Sequence, residues 1–180
     1  PLFRHGTWVK HGRRDVWRPH VSADWRPYHS GWWIYTPSGL TWISTEPWGW
    51  VTYHYGVWGH APGVGWFWRP GNTFTPGSVY WPWGPSYVGW VPAGPYSPYY
   101  QDPYYACPPY GFYGSFHRFD GLRPVSIWRR STNWQDWTFC PYDRFGYRNS
   151  HQHLISGTEL NNRGVLQKEL SRAVVTTETR

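Results

Sequence analysis

The sequence predicts an all-β protein, an antiparallel meander of short aromatic-rich hairpins that closes as a barrel or folds as a sandwich. Three observations support this class. Aromatic residues make up 22% of the chain, with 17 Trp, 15 Tyr and 8 Phe, and such side chains favour strands. Short aromatic or β-branched runs recur at near-regular spacing. Turn residues separate the runs, since the chain has 20 Gly and 18 Pro, and this alternation is typical of antiparallel sheets.

Two hairpins stand out near the N-terminus. Each has two runs of strand-forming residues joined by a turn that contains glycine, and in the second turn Pro and Gly occupy the positions that a tight turn favours. The predicted hairpins pair 6–10 with 15–18 around the turn 11–13, and 32–36 with 40–44 around the turn 37–39.

The stretch 46–59 is the centre of the predicted sheet. A Pro/Gly turn at its start leads into an aromatic, β-branched run over 51–57, which we expect to be a strand with Gly56 as a bulge. Neither face of such a strand is polar. It therefore needs cover on both sides, or else one aromatic face is kept for a partner.

Shorter strands are expected further along the chain. The first of these, 65–68, should stop at 69–72, and the others are 78–81, 87–91, 125–128 and 137–140. Changes in composition divide the chain into four parts. These are an aromatic β module over 1–95, an extended Tyr/Pro-rich connection over 96–120, additional strands packed on the module over 121–150, and a polar tail over 151–180 that we expect to bind a partner.

The two cysteines and the missing methionine suggest an exported protein. Cys107 and Cys140 fit an oxidising compartment, and a bridge between them would close a loop of just over thirty residues, worth about 3–4 kcal/mol in the chain-entropy model. Two buried free thiols are the alternative. Methionine is absent even from position 1, and we expect that a secretory signal has been removed. No apolar run is long enough for a transmembrane helix.

A set of unusual motifs in the first half of the chain resembles a family of exported bacterial proteins rich in Trp, Tyr and Gly, whose function is unknown. The resemblance covers roughly 2–95. It implies a periplasmic, outer-surface or secreted location, and it brings no catalytic residue with it. The motifs are Gly6-Thr7-Trp8-Val9, Val16-Trp17-Arg18-Pro19, Asp24-Trp25-Arg26-Pro27-Tyr28, Gly39-Leu40-Thr41-Trp42, Glu46-Pro47-Trp48-Gly49-Trp50, Tyr53-His54-Tyr55-Gly56, Gly65-Trp66-Phe67-Trp68 and Val88-Gly89-Trp90-Val91-Pro92.

Motifs for catalysis and cofactors are missing from the sequence. It has no nucleophile elbow, phosphate loop or dinucleotide fingerprint. Asp24 and Glu46 lie beside turns, where carboxylates usually accept backbone hydrogen bonds instead of facing each other across a cleft. His151 and His153 lack a further ligand at metal-binding spacing. We therefore expect no enzyme activity, no cofactor and no metal.

The charge pattern argues against a nucleic-acid partner. The formal net charge is +7 and lysine occurs only at Lys10 and Lys168. Arginine packs well on aromatic rings, and three Trp-Arg-Pro motifs suggest that much of the positive charge is structural. Single-strand binding by stacking stays the third-ranked alternative.

Exposed aromatic rings on a rigid sheet suit protein partners and sugars. The leading hypothesis is a non-enzymatic extracytoplasmic module that docks into a larger protein assembly or homo-oligomer. The alternative is a module that binds a glycan, either peptidoglycan or exopolysaccharide. The candidate contact residues for either function are Trp33, Tyr35, Trp42, Tyr53, Tyr55, Trp66, Trp68 and Arg69, and the candidate assembly residues of the tail are Leu166, Leu170 and Val174.

Overall fold

The computed structural model describes residues 2–80, 86–93 and 134–166. Three antiparallel sheets dominate these ranges, which confirms the predicted all-β class. The strands are β1 (Gly6–His11), β2 (Arg14–Pro19), β3 (Gly31–Thr36), β4 (Gly39–Ser44), β5 (Tyr55–Ala61), β6 (Gly65–Phe74), β7 (Val79–Tyr80), β8 (Tyr87–Pro92), β9 (Thr138–Pro141) and β10 (Ile155–Ser156). The helices are α1 (Gly49–His54) and α2 (Gly157–Asn162), with 3₁₀ turns at Leu2–Arg4, Trp134–Asp136, Tyr142–Arg144 and Arg148–His153.

The strands are arranged as two four-stranded sheets and one hairpin. Their orders are β1-β2-β6-β5, β10-β9-β8-β7 and β3-β4. Each sheet is open in the described ranges, which fits a sandwich and not a closed barrel. The two hairpins predicted near the N-terminus are confirmed as β1–β2 and β3–β4. In the second hairpin Trp33 lies opposite Trp42, and Gly39 closes the turn with a φ of 98°, which a residue with a side chain rarely adopts.

The prediction of a strand over 51–57 is wrong for its first half, because 49–54 forms helix α1. Gly49, Thr52 and Tyr53 are buried. Their spacing of three and four residues places them on the same face of a helix, whereas a strand would send neighbours to opposite sides. Burial of this face overrides the strand propensity of the individual residues. The strand β5 begins only at Tyr55.

The predicted bulge at Gly56 is confirmed. The register of β5 with β6 shifts from Tyr55↔Phe74 to Val57↔Arg69 across this glycine, whose φ is 101°. The predicted stop at 69–72 is wrong, since β6 continues to Phe74. Pro70 is tolerated there because it lies in the extra length that the bulge creates, where no ladder hydrogen bond needs a donor.

The core of the molecule is a cluster of aromatic rings with Tyr28 near its middle. The Tyr28 ring makes an edge contact with Tyr53 at 4.7 Å and stacks on Trp33 at 5.8 Å. Its carbonyl accepts a hydrogen bond from Trp90 Nε1 at 2.7 Å, and its hydroxyl accepts one from the Ser78 backbone N–H at 2.9 Å. These bonds join parts of the chain that are 50 and 62 residues apart in sequence. Tyr28 therefore connects the β3–β4 hairpin and α1 to β8.

The expectation that the tail extends across a neighbouring molecule is wrong for its described part. β10 pairs with β9, and Leu160 and Leu166 are fully buried against Trp137 and Phe139. These leucines share one apolar cluster with Val91 of β8 and Phe139 of β9. Leu170 and Val174 lie outside the described residues, as do the connection 96–120 and the predicted strand 125–128.

No disulfide is found among the described residues, so the proposed bridge from Cys140 to Cys107, which lies outside them, is not shown. Cys140 lies in β9, where its thiol is free and fully buried. Burial raises the pKa of this thiol to about 12, so it would react slowly with alkylating agents. In the described ranges, none of the helices is long and apolar enough to cross a membrane.

Candidate functional site

A cleft of the described structure lies where three parts of the chain meet. One wall is the loop that follows β2, from Arg18 to Arg26, and the second is the turn between β5 and β6, from His60 to Trp66. The third wall comes from the C-terminal segment, through Gln135, Asp136, Ser156 and Thr158. The volume of the cleft is about 630 Å³, which suits a ligand of a few rings.

Two half-buried tryptophans give the cleft its apolar surface. Trp25 packs on the buried ring of Trp58 at 5.2 Å, and its indole N–H donates to Glu46 Oε1 at 2.6 Å. Trp66 makes an edge contact with the His60 ring at 5.1 Å. Since Trp25 is held from behind by a ring and a carboxylate, its orientation is fixed before any ligand arrives.

The carboxylate of Glu46 does not line the cleft but supports Trp25, which does. Besides the bond from Trp25, it accepts hydrogen bonds from the hydroxyls of Tyr53 and Ser44. Burial raises the pKa of Glu46, and these three donors partly offset the effect. Because both oxygens are committed to protein donors, Glu46 orients Trp25 and is not available to a substrate.

Arg26 forms part of the back of the cleft and connects its first and third walls. Its Nε donates to Thr138 Oγ1 at 3.1 Å, and its Nη2 lies 3.1 Å from His29 Nδ1. Burial lowers the pKa of His29 to about 4, with a further contribution from the Arg26 charge. The imidazole is therefore neutral at pH 7, and its Nδ1 accepts from the guanidinium, which can only donate.

The charges that line the cleft are balanced. Arg18 and Arg26 face Asp24 and Asp136. A hydrogen bond from the Ser22 side chain lowers the pKa of Asp24. Burial raises the pKa of Asp136, while His60 and Arg26 act in the opposite direction. With two groups of each sign, the cleft has no excess charge with which to select a strongly charged ligand.

Most of the contact residues predicted from sequence lie elsewhere. Trp33, Trp42, Tyr53 and Trp68 are core residues with at most 4% exposure, so the expectation that they face a partner is wrong. Tyr35 is exposed, and Tyr55 and Arg69 are half-buried, but none of these three lines the cleft. Only Trp66 was both predicted and found there.

Several cleft residues were not predicted because they do not lie on strands. Trp25 and Arg26 lie in a Pro-containing loop, and Asp136 lies in a 3₁₀ turn far along the chain. Asp24 was expected only to accept backbone hydrogen bonds beside a turn. One sequence feature could have indicated the cleft, namely Trp25 flanked by Asp24 and Arg26 in a turn. Binding residues are often carried by loops on a rigid scaffold.

The model of a family of unknown function, DUF6600, matches residues 1–97. The chain belongs to this family. The DUF6600 region contains both cleft tryptophans, whereas Gln135, Asp136, Ser156 and Thr158 follow it. No curated protein and no solved structure matches the chain. Among the described residues, no group of three or more His, Cys, Asp or Glu is placed to hold a metal ion.

Proposed function

We propose that this DUF6600 protein is a non-enzymatic glycan-binding module that holds an uncharged saccharide in the cleft. The observation that carries the proposal is the pair of half-buried rings, Trp25 and Trp66, in one cleft whose remaining lining is largely polar. The extracytoplasmic location implied by the resemblance to exported proteins is part of the proposal, since glycans of the cell envelope would be met there.

A saccharide matches this lining chemically. Its C–H faces are apolar and lie flat on an indole ring, and its hydroxyls need donors and acceptors around the ring. The side chains of Asp24, His60 and Gln135 offer these groups at the cleft surface. The balanced charge favours a neutral sugar over a phosphorylated or sulfated one.

The geometry gives little support to hydrolysis. Glycosidases use two carboxylates on opposite sides of the scissile bond. Glu46 has both oxygens engaged by protein donors, so it does not act as one of such a pair. We therefore propose binding without turnover.

A second candidate function, docking into a larger protein assembly, is favoured by a different surface. Trp50 and Val51 are neighbours on α1, with 63% and 42% of their surfaces exposed. The Trp50 ring contacts His54 at 4.7 Å and Phe74 at 6.3 Å. An exposed Trp supported by other rings is a common hot spot of protein interfaces. The packing of 151–166 on its own sheet removes this part of the tail as support for docking, and docking ranks second for that reason.

Isothermal titration calorimetry with cellotetraose, mannotetraose and tetra-N-acetylchitotetraose tests the first function. Wild-type protein should bind at least one of them, and Trp66→Ala should weaken that binding at least about tenfold, because a sugar stacked on the ring loses its largest apolar contact. Trp50→Ala is the matched control, since it removes an equally large exposed ring outside the cleft. It should leave the sugar affinity unchanged.

Light scattering on the same variants tests the second function. If α1 is the docking surface for a second copy, Trp50→Ala lowers the mass of wild-type oligomers and Trp66→Ala does not. Wild-type protein that binds no saccharide and associates through Trp50 would reverse the order of the two proposals.

A further inference from the structure

We propose that residues following the DUF6600 region determine which saccharide binds in the cleft. They do so through a polar wall formed by Gln135, Asp136 and Thr158. The inference builds on the proposed glycan-binding function and adds the specificity of that site. It arises from the way in which the cleft is divided between two parts of the chain.

Apolar and polar lining residues are unequally distributed over the sequence. Both tryptophans and all other apolar side chains of the cleft, such as Val21 and Val64, lie within residues 1–97, the range of the family match. Every lining residue from the C-terminal segment has a hydrogen-bonding side chain. The family region thus supplies the whole stacking surface together with polar groups such as Asp24 and His60, whereas the later segment supplies only groups that can recognise hydroxyls.

The polar wall is held in place by the backbone. Gln135 and Asp136 lie in the 3₁₀ turn that the bond from Trp137 N–H to Trp134 O closes at 3.2 Å. The Gly157 N–H donates to Trp137 O at 2.9 Å, and this bond places the start of α2, with Thr158, beside the turn. The Arg26–Thr138 hydrogen bond then joins this unit to the family region. A wall fixed in this way can discriminate between ligands without first becoming ordered.

Within this wall, Ser156 has a structural role. Its side chain accepts the Glu159 N–H at 3.1 Å and so caps α2. Gln135 and Thr158 are exposed, and Asp136 is half-buried between His60 and Arg26. These three are the polar side chains of the wall that can meet a ligand.

The chemistry of the three side chains suits the recognition of sugar configuration. An ionised Asp only accepts hydrogen bonds, whereas Gln and Thr both donate and accept. Epimers of a sugar present similar C–H faces to a ring but direct one hydroxyl differently. Stacking on Trp25 and Trp66 therefore tolerates several sugars, and hydrogen bonds to the wall distinguish them.

The test compares two β-1,4-linked tetrasaccharides, cellotetraose and mannotetraose, whose sugar units differ only in the configuration at C2. Calorimetry with each gives two values of Kd for wild-type protein, for Gln135→Ala/Thr158→Ala and for Asp136→Asn. Gln135 and Thr158 are exposed, so the double variant should fold, and thermal unfolding verifies this. Trp66→Ala is the control for general loss of stacking.

We expect the double variant to change the ratio of the two Kd values by about fivefold or more. The reason is that each lost hydrogen bond strengthens the binding of one sugar more than that of the other. Asp136→Asn should also change the ratio, since the amide adds a donor where the carboxylate only accepts. Trp66→Ala should weaken all binding sugars by a similar factor and leave the ratio unchanged.

Ratios that stay at the wild-type value in both wall variants would overturn this inference and leave the proposed function standing. Wild-type protein that binds neither of these two sugars nor tetra-N-acetylchitotetraose would overturn both the inference and the proposed function.

Discussion

The indole N–H of Trp25 donates to Oε1 of Glu46 at 2.6 Å. This bond joins the loop after β2 to the turn before α1 and so connects two of the aromatic motifs recognised in the sequence. On its other side, the Glu46 carboxylate accepts the hydroxyl of the fully buried Tyr53. One carboxylate therefore couples the orientation of a cleft ring to the packing of the aromatic core.

Glu46→Ala should lower the free energy of unfolding by about 1–3 kcal/mol, because it leaves the buried Tyr53 hydroxyl and the half-buried Trp25 N–H without their acceptor. Urea denaturation measures the change. Glu159→Ala is the control, since this exposed glutamate forms a surface ion pair with Arg163 and should cost at most about 1 kcal/mol. Equal losses for the two variants would show that Glu46 has no special structural role.

His29 should make the protein sensitive to acid. Burial lowers its pKa from the ordinary 6.5 to about 4. Between these values the unfolded chain binds a proton at His29 and the folded chain does not, so stability falls as the pH drops from 6.5 to 4. His29→Asn keeps an acceptor for Arg26 but cannot titrate. It should reduce the loss of unfolding free energy between pH 7 and pH 4, by up to about 3 kcal/mol.

The control for this measurement is His151→Asn, which replaces an exposed histidine and should leave the pH profile of wild-type protein in place. A His29→Asn variant with the same acid sensitivity as wild type would contradict the neutral, buried assignment of this imidazole.

Gly56→Val should be far more damaging than Gly63→Ala. Both glycines have positive φ, 101° and 77°. A Cβ at Gly56 would collide with the backbone of Arg69 and Gly71, whereas a Cβ at Gly63 would meet nothing within 4 Å. Gly63→Ala therefore costs only backbone strain, about 1–2 kcal/mol, and Gly56→Val breaks the β5–β6 pairing. The yield of soluble protein and the melting temperature distinguish them, and similar losses for both would contradict the bulge.

Leu160→Ala should destabilise the protein by about 2–4 kcal/mol, since it opens a cavity in a packed cluster. Leu160 is fully buried against the sheet that contains β8 and β9. Asn162→Ala, at an exposed position of the same helix, is the control and should change little. For the same reason, deletion of 151–180, which removes β10 and α2, should unfold β8 and β9 instead of leaving the module intact. A truncated protein with the near-ultraviolet circular dichroism of the full chain would contradict this packing.

The sequence predicted elements whose structure is decided locally. The hairpins β1–β2 and β3–β4 follow from alternating strand formers on either side of a glycine turn, and the bulge at Gly56 follows from a glycine inside an aromatic strand. In each of these patterns the two paired segments lie only a few residues apart in the sequence. A reader of the sequence can therefore recover them without knowing what else packs nearby.

Other features depended on contacts that sequence spacing does not reveal. Helix α1 consists largely of residues that favour strands, and it forms because Gly49, Thr52 and Tyr53 bury one helical face. The cleft was missed for a related reason: Arg26 and Thr138 are 112 residues apart in the chain and meet only in the folded protein. The burial of Leu166 could not be foreseen either, since the spacing of the tail leucines fits equally well with packing on the chain's own sheet or on a partner.

Oxidative footprinting of tryptophan side chains tests the central claim, that a saccharide occupies the cleft, most directly. Hydroxyl-radical labelling followed by mass spectrometry should be run with and without a saturating amount of the tetrasaccharide that binds tightest in calorimetry. The account predicts that Trp25 and Trp66 become protected, while the exposed Trp8 and Trp50 keep their reactivity. Unchanged labelling of Trp25 and Trp66, or protection centred on Trp50, would contradict it.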